Sequence, residues 1–137
     1  MVVEDFVIGR HVYGNMYGVD PSTLWDEDFI KETVLKAVEA AGATLHDLKS
    51  WKIEGEKGGV SVIALVLESH ISIHTWPGYK YATVDVYTCG DTADPWRGFE
   101  VILNRLNPKF YTVHYSDRSS LPPDVIEELG SSSVGKE

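Results

Sequence analysis

One stretch of the chain, Glu68 to Gly90, holds most of its chemistry-bearing side chains. Ser69, His70, Ser72, His74, Trp76, Asp85, Tyr87 and Cys89 fall around two short strand-like segments. Serine and cysteine become nucleophiles when a base takes their proton, and histidine is the base that titrates near neutrality. The simplest arrangements of these residues fail. His70 and His74 would lie about 13 Å apart along a strand, too far to share one ion, so no metal site is expected. Ser69, His74 and Asp85 have the residue types of a hydrolytic triad, but no nucleophile elbow surrounds Ser69. Gly58-Gly59-Val60-Ser61 lacks both the glycine spacing and the Lys-Ser/Thr of a phosphate loop. Elsewhere, Asp91 and Asp94 read as loop and cap residues, and Glu127-Glu128 as a solvated face. A lone cysteine is more often packing than catalysis. What resists a purely structural reading is the density of reactive types on matching parities.

The elements that must position them follow from periodicity. Ile8 to Val19 reads as a strand interrupted at Gly9, Gly14 and Gly18. Asp26 is a good N-cap for a helix whose apolar residues Phe29, Ile30, Thr33, Val34, Ala37, Val38 and Ala41 recur at three- and four-residue steps until Gly42 stops it. Residues 43–53 read as a strand. After the Gly58-Gly59 turn, Val60 to Leu67 is nearly all apolar, as expected of a central strand covered on both faces. His70 to Trp76 alternates, with His70, Ser72, His74 and Trp76 on one face and Ile71, Ile73 and Thr75 on the other. Tyr81 to Thr88 is a further strand, with Tyr81, Thr83, Asp85, Tyr87 and Cys89 on one parity. Asp94 caps a second helix with Pro95 at its first position and a stripe of Trp96, Phe99, Ile102 or Leu103, and Leu106. Lys109 to His114 reads as a last strand. The fold expected is α+β, a two-layer α/β sandwich with an antiparallel sheet backed by two helices. The stretch 119–137 reads as a loose tail with at most a turn of helix over 122–129.

The 137 residues suit a single domain, 1–137. Residues 1–68 carry 6 basic and 12 acidic groups, residues 69–137 carry 6 and 9, and the net charge is −9. Neither half can supply the clustered Lys and Arg that phosphate contacts need, which argues against a nucleic-acid partner. No segment is apolar for long enough to span a bilayer, and the N-terminus lacks a secretion signal. One cysteine excludes an internal disulfide and suits a reducing compartment, so a cytoplasmic location is expected.

The stretches Glu68-Ser-His-Ile-Ser-Ile-His-Thr-Trp-Pro77 and Tyr81-Ala-Thr-Val-Asp-Val-Tyr-Thr-Cys-Gly90 resemble the prokaryotic S-adenosylmethionine decarboxylase family. The resemblance runs from about Gly9 to Asp117. It implies a pyruvoyl-dependent enzyme made as a self-cleaving proenzyme, with the sandwich fold read above. By that resemblance Ser69 is the precursor of the covalent pyruvoyl group, which forms a Schiff base with the substrate. The break falls between Glu68 and Ser69, giving a β chain of 1–68 and an α chain of 69–137. His74 is the proton acceptor in processing, Ser61 supports that step by polarising the carbonyl, and Cys89 is the proton donor in catalysis. The resemblance also implies an oligomer of α/β heterodimers, up to a heterooctamer, with active sites near subunit contacts.

Departures from the family pattern bear on the substrate. Members acting on S-adenosylmethionine usually carry a ribose-holding glutamate four residues after the processing histidine, where this chain has Gly78. Their adenine-stacking phenylalanine falls on or near Gly55. Glu54 and Glu56 stand in the replaced segment, and a carboxylate there could bind a guanidinium through paired hydrogen bonds. The run from Trp51 to Ile71 is more like the crenarchaeal branch that decarboxylates L-arginine to agmatine for polyamine biosynthesis. Arginine, a small cationic amino acid, is therefore the expected substrate, and S-adenosylmethionine is the alternative with the same serine, histidine and cysteine. A non-catalytic partner of an active paralogue is the reading from another class. Pyridoxal phosphate is disfavoured because no lysine stands out and the chain lacks room for the usual cofactor domain.

Overall fold

In the computed structural model, which describes residues 5–130, alternating strands build one antiparallel sheet and two helices cover one side of it. β1 (Gly9–Tyr17) leads through α1 (Pro21–Trp25) into α2 (Glu27–Ala41). The chain then winds through β2 (Leu45–Ile53), β3 (Gly59–Val66), β4 (Ser69–Trp76), a short 3-10 turn at Pro77–Tyr79 and β5 (Tyr81–Cys89). It crosses back through α3 (Pro95–Leu106) and ends in β6 (Phe110–Tyr111), β7 (His114–Asp117) and α4 (Pro123–Gly130). The strand order is β2-β3-β4-β5-β1-β6, with β7 also paired to β1. This is the α+β sandwich the alternation predicts, and residues 131–137 of the expected tail lie outside the described residues.

The helices start and stop where their side chains dictate. The Asp26 carboxylate accepts the Phe29 N–H at 3.0 Å, Glu27 and Asp28 sit in the first turn, and Gly42 ends α2 at φ 73°. α3 opens on Asp94 and Pro95. α2 packs on β3 and β4, α3 on β5 and β1, and the two helices touch each other. Between them and the sheet lies an apolar core that includes Ile30, Val34, Val62, Ile71, Ile73, Val84, Phe99 and Ile102. Gly98 permits this approach: a Cβ there would meet Val86 Cγ1 at 3.1 Å and the Ala37 carbonyl oxygen at 3.3 Å.

Several sequence expectations are corrected. β1 is continuous rather than interrupted, because Gly14 serves close packing, and a side chain there would run into the Thr112 carbonyl. The last strand is two short ones, β6 and β7, both paired with β1. Trp96 leaves the core stripe and stacks on Tyr115 at 5.9 Å. β3 is not covered on both faces: Val60, Val62, Ala64 and Val66 are buried, whereas Leu65 on the other face is exposed. That second face carries His11, Tyr13, Tyr17, His70, His74, Trp76, Asp85 and Tyr87, so the helices cover the apolar face and leave the polar one open.

One buried hydroxyl ties the sheet to α1. Thr75 Oγ1 accepts the Val60 N–H and donates to the Leu24 carbonyl, each at 2.9 Å. Thr75→Val leaves two buried backbone groups without partners, and the loss expected is roughly 2–4 kcal/mol, or about 5–15 °C in melting midpoint. A thermal melt within 1–2 °C of the parent, on the order of experimental scatter, would contradict this.

Candidate active site

A two-residue turn, Leu67-Glu68, joins β3 to β4, and the register pairs Val66 with Ser69 directly across it. The Glu68–Ser69 peptide bond therefore sits at the mouth of a hairpin. The β4–β5 register pairs His70 with Tyr87, which carries Cys89, the last residue of β5, alongside that turn. The Cys89 thiol donates to the Glu68 carbonyl oxygen at 3.5 Å. A cavity of about 140 Å³ opens here, lined by Thr44, Val66, Glu68, Ser69, Thr88 and Cys89 among others. An S–H aimed at a carbonyl oxygen can polarise that carbonyl toward a neighbouring hydroxyl.

Tyr87 connects this end to the open polar face. Its phenol is held above its ordinary range, first by hydrogen bonding to Cys89, then by burial and the charge on Cys89, with Arg118 acting in the opposite sense. The Arg118 guanidinium lies 4.4 Å over the Tyr87 ring, and His70 meets the ring edge-on at 5.6 Å. Next along the face, His11 Nε2 and Asp85 Oδ1 are 2.7 Å apart. Asp85 is thus engaged by His11 rather than by His74, which disposes of a Ser69-His74-Asp85 triad. His11 and Arg118 escape sequence reasoning because they lie far from the dense stretch. Only the β1–β5 register, which sets His11 opposite Tyr87, brings the first of them in.

The second pair lies at the other end of the hairpin. Ser61 and His74 face each other across β3 and β4, and Ser61 Oγ is 2.8 Å from His74 Nδ1. His74 is five residues along β4 from Ser69, about 16 Å on an extended strand, and on the opposite parity. One copy of the chain therefore brings Ser61 to His74, and Cys89 to the Glu68 carbonyl beside Ser69, but does not bring the two groups together. Glu54 and Glu56 are exposed in the β2–β3 turn. Glu56 lines an open cleft of about 580 Å³ with Trp25, Gly78, Tyr79 and Lys80, whereas Glu54 does not. Among the described residues no group of His, Cys, Asp and Glu is placed to hold a metal ion, and no helix is long and apolar enough to cross a membrane.

Residues 10–119 match the model of the S-adenosylmethionine decarboxylase family. The chain is 66% identical over 118 residues to the arginine decarboxylase proenzyme of Ignicoccus hospitalis, covering 86% of this chain and 82% of that one. It is 61% identical over 118 residues to the arginine decarboxylase proenzyme of Hyperthermus butylicus, covering 86% and 83%. Among solved structures, the adenosylmethionine decarboxylase from Aquifex aeolicus superposes with a TM-score of 0.75 at 35% identity, covering 83% of this chain and 92% of that one.

The half-buried His70 gives the site a pH signature. Burial lowers its pKa below the ordinary 6.5, His11 and Arg118 push the same way, and Asp85 opposes them. Between the folded and unfolded values the unfolded chain binds more protons, so the contribution of neutral His70 is complete above the unfolded value and declines as the pH falls below it. His70→Asn should flatten the fall in melting midpoint between roughly pH 7 and pH 5. An unaltered slope would assign that acid sensitivity to other groups.

Proposed function

Because the chain belongs to the S-adenosylmethionine decarboxylase family, we propose that it is a pyruvoyl-dependent arginine decarboxylase, converting L-arginine to agmatine and CO2 in polyamine biosynthesis. The observation that carries the reading is the Cys89 thiol on the Glu68 carbonyl, one residue before Ser69. Ser69 Oγ attacks the Glu68 carbonyl carbon, the C–N bond breaks, and an ester replaces the amide as the proton lost by Oγ passes to the Ser69 nitrogen, which becomes a free amine. A base removes the Ser69 α-proton, and elimination frees residues 1–68 with Glu68 as a carboxylate. The dehydroalanine left at residue 69 becomes an imine, adds water and releases ammonia, leaving a terminal pyruvoyl carbonyl. That carbonyl supplies an electron sink for CO2 loss from an α-amino acid. The cavity lined by Ser69, Thr88 and Cys89 fits such a group. Cys89 then returns a proton to the carbon that lost CO2.

The base is His74 of a second copy. The separation along β4, about 16 Å, keeps a chain's own His74 from its Ser69. The helices leave open the face that carries Ser61 and His74, and Cys89 shares its parity, so the functional unit is a homo-oligomer in which Ser61 and His74 of one chain serve Ser69 and Cys89 of another. Hydrogen bonding to Ser61 orients the imidazole.

Two features support arginine over the nucleoside substrate. Gly78 presents no carboxylate for ribose hydroxyls, and a Cβ at that position would lie 2.8 Å from the Glu56 carbonyl oxygen, so the turn occupies the space such a side chain would need. The relatives at 66% and 61% identity are named arginine decarboxylase proenzymes. Of the two carboxylates in the turn, Glu56 is the better placed to receive a guanidinium, because it lines the cleft.

Intact mass should show fragments 1–68 and 69–137, and agmatine should form from arginine. Carbon dioxide released only from S-adenosylmethionine would make that the substrate. Cys89→Ser should still cleave, with turnover reduced about 100-fold or more, and wild-type turnover would remove Cys89 from proton donation. His74→Ala alone should stay intact, whereas co-expression with Ser69→Ala should restore its cleavage, because the second chain supplies the histidine. No cleavage in the mixed assembly would refute the shared site.

A further inference from the structure

On the helix-facing side of β5 the residues before Thr88 are Ala82, Val84 and Val86, all buried and apolar. Thr88 continues this row at 1% exposure, yet it is the one described residue with a buried side-chain oxygen that has no hydrogen-bond partner. A valine would fill the same volume without the unsatisfied hydroxyl, so packing gives no reason for threonine. The hydroxyl does have a location: Thr88 lines the cavity of about 140 Å³ that Ser69 also lines. Both residues have the parity of the helix-covered face, since Ser69 alternates with Ile71 and Ile73, whereas Cys89 has the opposite parity. Cys89 and Thr88 therefore flank the Glu68–Ser69 link from opposite sides of the sheet.

We infer that Thr88 is a positioning residue for the carbonyl that Ser69 becomes, donating to its oxygen the hydrogen bond that its hydroxyl lacks in the uncleaved chain. This rests on the proposed pyruvoyl activity. A donor without a partner in one state and satisfied in the next favours the second, and a fixed carbonyl presents one face to an incoming amine. Cys89 handles protons on the opposite side, so the two residues have separable effects.

The test uses the full-length chain with Thr88→Val and Thr88→Ser beside the wild type, and four readouts: cleavage on a denaturing gel, labelling of the new terminus by a hydrazide reagent, kcat and KM for arginine, and thermal melting. Thr88→Val should cleave within about twofold of the wild-type rate and melt no lower. Its hydrazide labelling and kcat/KM should both fall roughly five- to tenfold, the value of one hydrogen bond. Thr88→Ser, which keeps the hydroxyl, should recover most of both. Wild-type labelling and kinetics in Thr88→Val would overturn the inference. So would a loss that follows a lowered melting temperature in both variants. A wild-type chain that stays uncleaved in the control lane would overturn the proposed activity and this role with it.

Discussion

The register of β3, β4 and β5 decides which reactive groups can meet. Antiparallel pairing fixes Ser61 against His74 and Val66 against Ser69, and the β4–β5 pairing brings Cys89 beside Glu68. A shift of one residue in either ladder would turn every side chain on the moving strand to the other face and dissolve both pairs. Caps, turns and the buried Thr75 bridge all hold that register in place. The same pairing keeps Ser69 and His74 of one chain at opposite ends of a strand.

The two faces of the sheet divide the work. Apolar residues on one face are sealed by α2 and α3, which supplies the stability that lets the other face remain polar. That other face carries a run of mutually packed histidine, tyrosine and carboxylate groups: His11 on Asp85, His70 against Tyr87, and Arg118 over the same ring. Half-burial holds these groups more firmly than open water would, while the partial solvation keeps the cost of their charges tolerable. Tyr87 links the network to Cys89, so the thiol sits at the edge of an electrostatic unit rather than alone.

The other end of the sheet is closed by two turns. There the β2–β3 turn folds against the 3-10 turn at Pro77–Tyr79, with the Glu56 carbonyl close over Gly78. Glycine at 78 and the shape of the turn are therefore one feature, because the backbone of one fills the room a side chain on the other would need. The open cleft beside them is lined by Trp25, Glu56, Tyr79 and Lys80.

What the sequence determined by itself is what repeats locally or sits in a contiguous motif. The alternation of β4 and β5, the caps at Asp26, Gly42 and Asp94-Pro95, and the run from Glu68 to Cys89 are all legible within a few residues of each other, because strand and helix periods and capping are local physics. Tertiary structure alone decided the rest. Trp96 left its helical stripe for Tyr115, His11 came from the far N-terminal strand to hold Asp85, and the last strand broke in two to follow β1. Ser69, His74 and Cys89 stood out in the sequence by type and parity, and Ser61 only by family resemblance, but the division of the four into two separated groups was not legible, since it depends on which strands lie side by side and in what register. Those pairings arise from contacts between residues distant in sequence, and no local pattern encodes the distance between the ends of a strand and a neighbour it has yet to meet.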